Sequence, residues 1–351
     1  MKIIDLGDAT HTFVIAEAGS NWKCGSFEED LIRSKELIKL ASKSGADAIK
    51  FQTFRSETVY ASNAGSSQYL SDSGINKNIN EIFDHLSMPY EMIPILYEYC
   101  KKENIMFMST PFSVEDAKQI DPYVQIHKVA SYEINHIRLL EFLASTKKHM
   151  LISTGASTYS EIDFAVNLIK KNGNNSIALM QCTSKYPCPM EAMNLSVIPK
   201  MKSKYSIPIG LSDHSKDPII APLMAIGFGA TIIEKHFTLD RDLSGPDHSF
   251  SIIPSELEIL VKSIRKADLA KGKGKKEVLE EENELRQFAT RSLQATKNIL
   301  KGEVFEEGKN FDVLRPGNRL RGLDAQFLSL VNGKKAIRDI KIGDGILDYE
   351  S

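Results

Sequence analysis

Long apolar runs, surplus charge and paired cysteines are all missing from this 351-residue chain. The longest apolar stretch, 218–233, is interrupted by Pro218 and Pro222 and falls short of the roughly 20 residues that a membrane span needs. Lys and Arg number 44 against 46 Asp and Glu, a formal net charge of −2. Neither nucleic acid nor an anionic membrane is therefore expected as a partner. Four cysteines, Cys24, Cys100, Cys182 and Cys188, are spaced too irregularly for a disulfide framework or a zinc ribbon. The opening residues, MKIIDLGDAT, lack the basic-then-apolar layout of a secretion signal. A reducing cytoplasm is the expected setting. Hydrophobic residues make up 42% of the chain, which permits a sizeable core and argues against disorder.

What is present is a rhythm. Short apolar segments at 12–21, 47–53, 105–111, 125–131, 149–155, 176–184, 207–214 and 230–237 each end in polar or charged residues. Amphipathic stretches such as EEDLIRSKELIKLASKSGA lie between them. Strands alternating with helices imply an α/β fold with a parallel sheet. Eight such units over roughly 250 residues predict a (β/α)8 TIM barrel, whose chemistry sits at the carboxyl ends of its strands. The barrel is expected over 1–265. Ser26 and Glu29 form a capping-box signal for the first helix, and Pro94 marks another helix start. The segment between Glu57 and Met88 is too long for an ordinary connection and reads as a loop insertion over the barrel mouth. Residues 266–290, highly charged and glycine-bearing, read as a solvated linker. The β-like text from Arg291 to the end, including FDVLRPGN, FLSLVNGKKAIRDI and GDGILDY, reads as a separate small module, too small to stand without packing against something else.

Three groups of residues at the strand ends can carry chemistry. His214 and His236 close the seventh and eighth segments, so their imidazoles can converge on one divalent ion with positions left for water and substrate oxygens. Two rim histidines satisfied by hydrogen bonds are the alternative. Asp213 and Glu234 are expected to orient the two imidazoles. Lys50, Thr110, Lys128, Ser131, Ser153 and Ser212 supply two ammonium groups and several hydroxyls, a set suited to a small substrate bearing phosphate and carboxylate. Taken singly, each of these serines is a cap or turn residue. Glu17, Gln52, Tyr186 and Asp247 offer partners for sugar hydroxyls, and the two carboxylates can serve as general acid or base once desolvated.

IAEAGSN (15–21), AIKFQTF (48–54), STPF (109–112), KVAS (128–131), LISTG (151–155), CTSKYPCP (182–189), GLSDH (210–214), IEKHFTLDR (233–241) and GPDH (245–248) together resemble the sialic acid synthase family. The last module, with RSL (291–293), LRPGN (314–318) and GKKAIRDIKIGDGI (333–346), is similar to the mostly-β antifreeze-like SAF domain, of β-clip type, that follows the barrel in that family. The resemblance spans nearly the whole chain. It implies condensation of phosphoenolpyruvate with an N-acyl amino sugar to a nine-carbon sialic acid and phosphate. By matching motif, Lys50, Thr110, Lys128, Ser131, Ser153 and Ser212 would bind phosphoenolpyruvate, His214 and His236 would hold Mn2+ or Mg2+, and Glu17, Gln52, Tyr186 and Asp247 would contact the sugar. Arg315 resembles an arginine that the SAF domain inserts into a partner's barrel, which implies a domain-swapped homodimer.

The chain departs from that family in places. Asn21-Trp22-Lys23-Cys24-Gly25 stands where Asn-His-Asn-Gly is common, and Trp22 is either a lid over the sugar or packing under the long loop. Ser184 replaces an asparagine that faces the sugar in some members. N-acetylmannosamine and a 2,4-diacetamido-trideoxyhexose both remain candidate acceptors, with N-acetylneuraminic, legionaminic or pseudaminic acid as product. Two rival readings are a Schiff-base aldolase using Lys50 or Lys128 and an inert sugar-binding scaffold.

Overall fold

The computed structural model describes residues 5–66, 77–272 and 274–350. Two compact units divide the chain, Met1–Gly272 and Lys273–Ser351. In the first unit eight strands run parallel: β1 Phe13–Gly19, β2 Ala48–Thr53, β3 Met106–Pro111, β4 Ile126–Val129, β5 His149–Ser153, β6 Ile177–Cys182, β7 Ile209–Asp213 and β8 Ile232–His236. Their order is β3-β2-β1-β8-β7-β6-β5-β4, and β3 lies beside β4, so that the sheet comes round on itself. Every expected segment contains its strand, and the whole has the architecture of a (β/α)8 TIM barrel. Helix Phe27–Lys43 opens with the anticipated capping box, Ser26 Oγ accepting from the Glu29 amide and the Glu29 carboxylate accepting from the Ser26 amide. Pro94 falls in the first turn of helix Met92–Lys102, where its missing N–H costs nothing.

Successive side chains along a strand face opposite ways, and this alternation builds the site. Ile15, Ala48, Met108, Ile126, Leu151, Ala178, Met180 and Ile232 fill the barrel interior as a buried apolar plug, with Leu6 and Phe13 in the same cluster. One step further along each strand the inward residue turns polar: Glu17, Lys50, Thr110, Lys128, Ser153, Cys182, Ser212 and Glu234. Registers such as Glu17 opposite both Lys50 and His236, and Ser212 opposite Glu234, place these groups in neighbouring rows. Outward residues, among them Val14, Ile49, Ile152, Leu179 and Ile233, pack against the helices in the larger cluster. Burying each large aliphatic side chain contributes about 1.5–3 kcal/mol, so a rigid apolar base supports the polar ring above it.

Several expectations need correction. Of the two readings of Trp22, packing stands and the lid falls: it is 1% exposed and belongs to the apolar cluster with Val14 and Leu37. The insertion at 57–88 carries helices Ser56–Val59 and Ile79–Leu86, with a small apolar core of Phe54, Ile79, Ile82 and Leu86; residues 67–76 of it lie outside the described residues. The barrel's last helix, Pro254–Ala270, runs past the expected boundary at 265, because Asp268 is tied back to the Thr12 amide at 2.9 Å and hydroxyl at 2.6 Å. In the second unit β9 Ser292–Ala295 pairs antiparallel with β10 Phe311–Leu314, over a core of Leu293, Ile299, Phe305, Phe311 and Ile346. Leu328–Val331, inside text that reads as strand, is a single helical turn. Helix Asn283–Ala289 buries no residue, in keeping with its lack of an apolar face.

Candidate active site

The polar ring is closed by two lysines and two carboxylates. Lys50 Nζ donates to Thr110 Oγ1 at 3.0 Å and pairs with Glu17 Oε2 at 2.6 Å and Glu234 Oε2 at 3.7 Å. Lys128 Nζ donates to Ser153 Oγ at 2.7 Å and to the Val129 carbonyl at 3.1 Å, with Glu234 Oε1 4.0 Å away. Ser212 Oγ donates to that same Glu234 oxygen at 2.9 Å. Glu234 is thus the link between both cations, not the orienter of a histidine; its inward position two residues before His236 was the available signal. Burial pushes the Glu17 carboxyl up to about 7 against the pull of Lys50. Burial disfavours charge on Lys50 too, yet Glu17 and Glu234 outweigh it and move that amine upward. For Lys128 burial wins, and its affinity for a proton drops.

On the neighbouring arc the Gly155 amide donates to Ser131 Oγ at 3.0 Å, and Ser131 Oγ lies 3.5 Å from Cys182 Sγ. A side chain at 155 would run into the hydroxyls of Ser184 and Ser131 and the Cys182 sulfur. Gly155 therefore leaves open a recess edged by hydroxyls. The Ser184 hydroxyl is buried without a hydrogen-bond partner among the described residues and borders the cavity.

The third arc holds the imidazoles. The rings of His214 and His236 have centroids 5.3 Å apart at 65°. Tyr186 lies over His214 at 4.2 Å. Gln52 Nε2 donates to Glu17 Oε1 at 3.0 Å. Gly19, at φ +52°, lets the ends of Glu17, Gln52 and Asp247 converge over its α-carbon, since a Cβ there would lie within 3.2–3.4 Å of all three. Burial raises Asp247 to about 6. Asp213, the other expected orienter, instead pairs with Lys235 at 2.6 Å on the outer face of the barrel. The Thr183 carbonyl takes the orienting role, accepting from His214 Nδ1 at 3.0 Å, so that a proton is held on Nδ1 and Nε2 is the atom that could ligate.

His214 and His236 are the residues that could hold a divalent cation, on two nitrogens. His236 Nδ1 is buried with no hydrogen-bond partner among the described residues and stands 3.7 Å from Asp247 Oδ2. Burial holds His236 well below its ordinary value, so its ring is neutral and able to ligate. His214 is moved upward, since Cys182 and the Thr183 carbonyl outweigh its burial. Two rings ligating one ion at about 2.1 Å per nitrogen have centroids about 5 Å apart, close to the spacing found. No group of three His, Cys, Asp or Glu arranged for a metal occurs among the described residues. Such an ion would keep most of its positions for water or substrate oxygens.

The second and third arcs open into a cavity of about 650 Å³, bordered by Gln52, Ser131, Ser184, Tyr186, His236 and Asp247, while the lysine–carboxylate ring lies buried one strand step deeper. Its opposite wall is apolar, made by Phe54, Val59, Ile79, Ile82, Phe83 and Leu86 of the insertion. Tyr132 and Glu133 also border it, and burial moves Glu133 to about 7; neither carries a signal in sequence beyond following Ser131. Arg315 is exposed on the loop after β10 in the second unit. Among the described residues no helix is long and apolar enough to cross a membrane.

The chain is similar over nearly its full length to proteins of sugar-acid and polysaccharide biosynthesis. The spore coat polysaccharide biosynthesis protein SpsE of Bacillus subtilis is 38% identical, over 97% of this chain and 94% of that protein. A pseudaminic acid synthase of Campylobacter jejuni is 36% identical, over 99% of this chain and 98% of the relative. The crystal structure of an N-acetylneuraminic acid synthetase from Leptospira borgpetersenii, solved with citrate, superimposes with a TM-score of 0.70 at 35% identity, covering 80% of this chain and 92% of that one. The NeuB family profile matches residues 37–276. With its barrel, its ring of inward polar side chains and these relatives together, the chain belongs to the NeuB family.

Proposed function

We propose that this protein condenses phosphoenolpyruvate with the open-chain aldehyde of an N-acyl amino sugar, N-acetylmannosamine or a 2,4-diacetamido-trideoxyhexose. The products would be inorganic phosphate and a nine-carbon acid of the sialic, legionaminic or pseudaminic type. The observation that carries the reading is two neighbouring groups at the strand ends of one barrel: Lys50, Lys128 and their hydroxyls for an anion, and Gln52, Tyr186 and Asp247 at the border of the cavity, with Glu17 bonded to Gln52, for a polyol.

Thr110, Ser131, Ser153 and Ser212 present hydroxyls, and the two ammonium groups present charge, to the phosphate and carboxylate; charge-assisted hydrogen bonds of this kind fix the face of the enol. Entry of the dianion competes with Glu17 for Lys50. Glu17, with its value near 7, can respond by taking a proton, which leaves the lysine to the phosphate. As the enol carbon bonds to the aldehyde carbon, Glu17 hands that proton to the aldehyde oxygen. The carboxylate so formed then takes a proton from the water that adds at carbon two, and the resulting tetrahedral centre collapses with cleavage of its bond to phosphate. A divalent cation, Mn2+ or Mg2+, held by His214 and His236 would polarise the aldehyde oxygen. Gln52 and Asp247 hold the sugar hydroxyls in register with the enol.

The second unit reads as an SAF module, and Arg315 as its contribution to the barrel mouth of a partner subunit in a domain-swapped homodimer; its exposed place after β10 supports that reading. The cytoplasm, where phosphoenolpyruvate is made, is the proposed compartment. A Schiff base on Lys50 is disfavoured, because the surrounding carboxylates keep its amine protonated; Lys128, whose proton affinity burial lowers, is the lysine on which that rival rests. Phosphate release from phosphoenolpyruvate, measured with a panel of N-acyl amino sugars and added Mn2+, tests the proposal. Release that needs an amino sugar and stops with chelator is expected; a borohydride-trapped adduct with pyruvate would overturn it.

A further inference from the structure

We infer that Lys235 is a positioning residue for His214, its ammonium holding the turn after β7 in the shape that aims this imidazole toward His236. Lys235 follows Glu234 on β8 and so points away from the cavity, where it is 1% exposed. Its Nζ donates to Asp213 Oδ2 at 2.6 Å, to the Ser215 carbonyl at 2.5 Å, to Ser215 Oγ at 3.1 Å and to the Asp217 carbonyl at 2.8 Å. The second Asp213 oxygen accepts from the Ser215 amide at 2.7 Å. Residues 213–217 therefore wrap one cation, and His214 sits inside that wrap. From the other side the His214 carbonyl accepts from the Cys188 amide at 2.9 Å and its Nδ1 meets the Thr183 carbonyl at 3.0 Å. Two backbone oxygens cannot leave the ammonium without stranding a buried charge, so the turn is clamped at both ends. Because Lys235 immediately precedes His236, the same strand that carries one imidazole fixes the segment carrying the other. A staple between β7 and β8 alone would need only the Asp213 pair; the bonds to Ser215 and Asp217 act on the turn.

The inference rests on the metal reading only for the cation it would serve, and its test separates the two. The variant joins Lys235→Met to Asp213→Asn, so that no lone charge is buried. In the metal-free protein, 15N resonances report whether His214 keeps its proton on Nδ1. Mn2+ titrated against wild type and variant, with free ion read by electron paramagnetic resonance, reports affinity. A folded variant with mixed His214 tautomers and Mn2+ affinity weakened by about 10–100-fold, the range for groups that orient metal ligands, is expected. An unchanged tautomer signature in a folded variant overturns the inference whether or not Mn2+ binds. Absence of Mn2+ binding by the wild type overturns the metal reading alone, and the tautomer signature then decides the role of Lys235. Should the double variant not fold, Lys235→Gln joined to Asp213→Asn carries the test, since the shorter neutral amide cannot hold the Ser215 and Asp217 oxygens together, with the same mixture of tautomers expected and the same null result fatal.

Discussion

Two buried lysine–carboxylate pairs, Lys50–Glu17 inside the barrel and Lys235–Asp213 outside it, are both closed at 2.6 Å and both almost inaccessible. Burial and distance do not tell them apart; what differs is how their remaining valence is used. Lys235 directs its protons to Asp213 and to backbone and hydroxyl oxygens of the turn after β7. Lys50 meets carboxylates and one hydroxyl of the inward polar ring, and its carboxylate partner is poised to accept a proton. A pair saturated by backbone is architecture, whereas a pair whose partners can be exchanged is chemistry.

Breaking each pair separately should expose that contrast. Lys235→Met leaves Asp213 buried and charged, and should lower stability by about 3–5 kcal/mol, read by urea denaturation. Lys50→Met should cost clearly less, since Glu17 neutralises itself, while phosphate release falls about 10²–10³-fold, the scale for loss of a preorganised charge donor. Equal destabilisation by the two variants would erase the distinction.

His127 sharpens the comparison from the outer face of β4, next to Lys128. It is fully buried, its Nε2 lies 2.9 Å from Asp121 Oδ1, and burial lowers it to about 4. With a folded value below the ordinary 6.5, its contribution is present above pH 6.5 and is lost as pH falls through 4. His127→Gln should flatten the stability profile across that window by about 3 kcal/mol; an unchanged acid limb would assign the sensitivity elsewhere. The smallest effect is expected from Gly155→Ala. There the added methyl displaces the Ser131 and Ser184 hydroxyls, raising KM for phosphoenolpyruvate about tenfold, or about 1.4 kcal/mol, with little change in melting temperature.

The barrel was legible because strand and helix periods differ, and because polar residues recur at the end of each apolar segment. That same period placed Glu17, Lys50, Lys128, Ser153 and Ser212 on a common inward row. Residues whose role depends on which way an outward side chain turns were harder to read. Asp213 and Glu234 flank the histidines in sequence, yet one faces the helices and the other the two lysines, because each lies an odd or an even step from its neighbour. Trp22 went the same way, since one aromatic after a strand can fold over a mouth or under a helix. The helix boundary near 265 was obscured because Asp268, a charged residue, is anchored by Thr12 far away in the chain.

The wall contributed by the segment between β2 and β3 has an apolar nucleus of its own, distinct from the barrel's two main clusters. The apolar wall and the lysine ring are consequently carried by separable stretches of polypeptide. On the proposed reading of the cavity, replacing Ile82 or Phe83 would redraw the contour offered to an acceptor without touching a lysine.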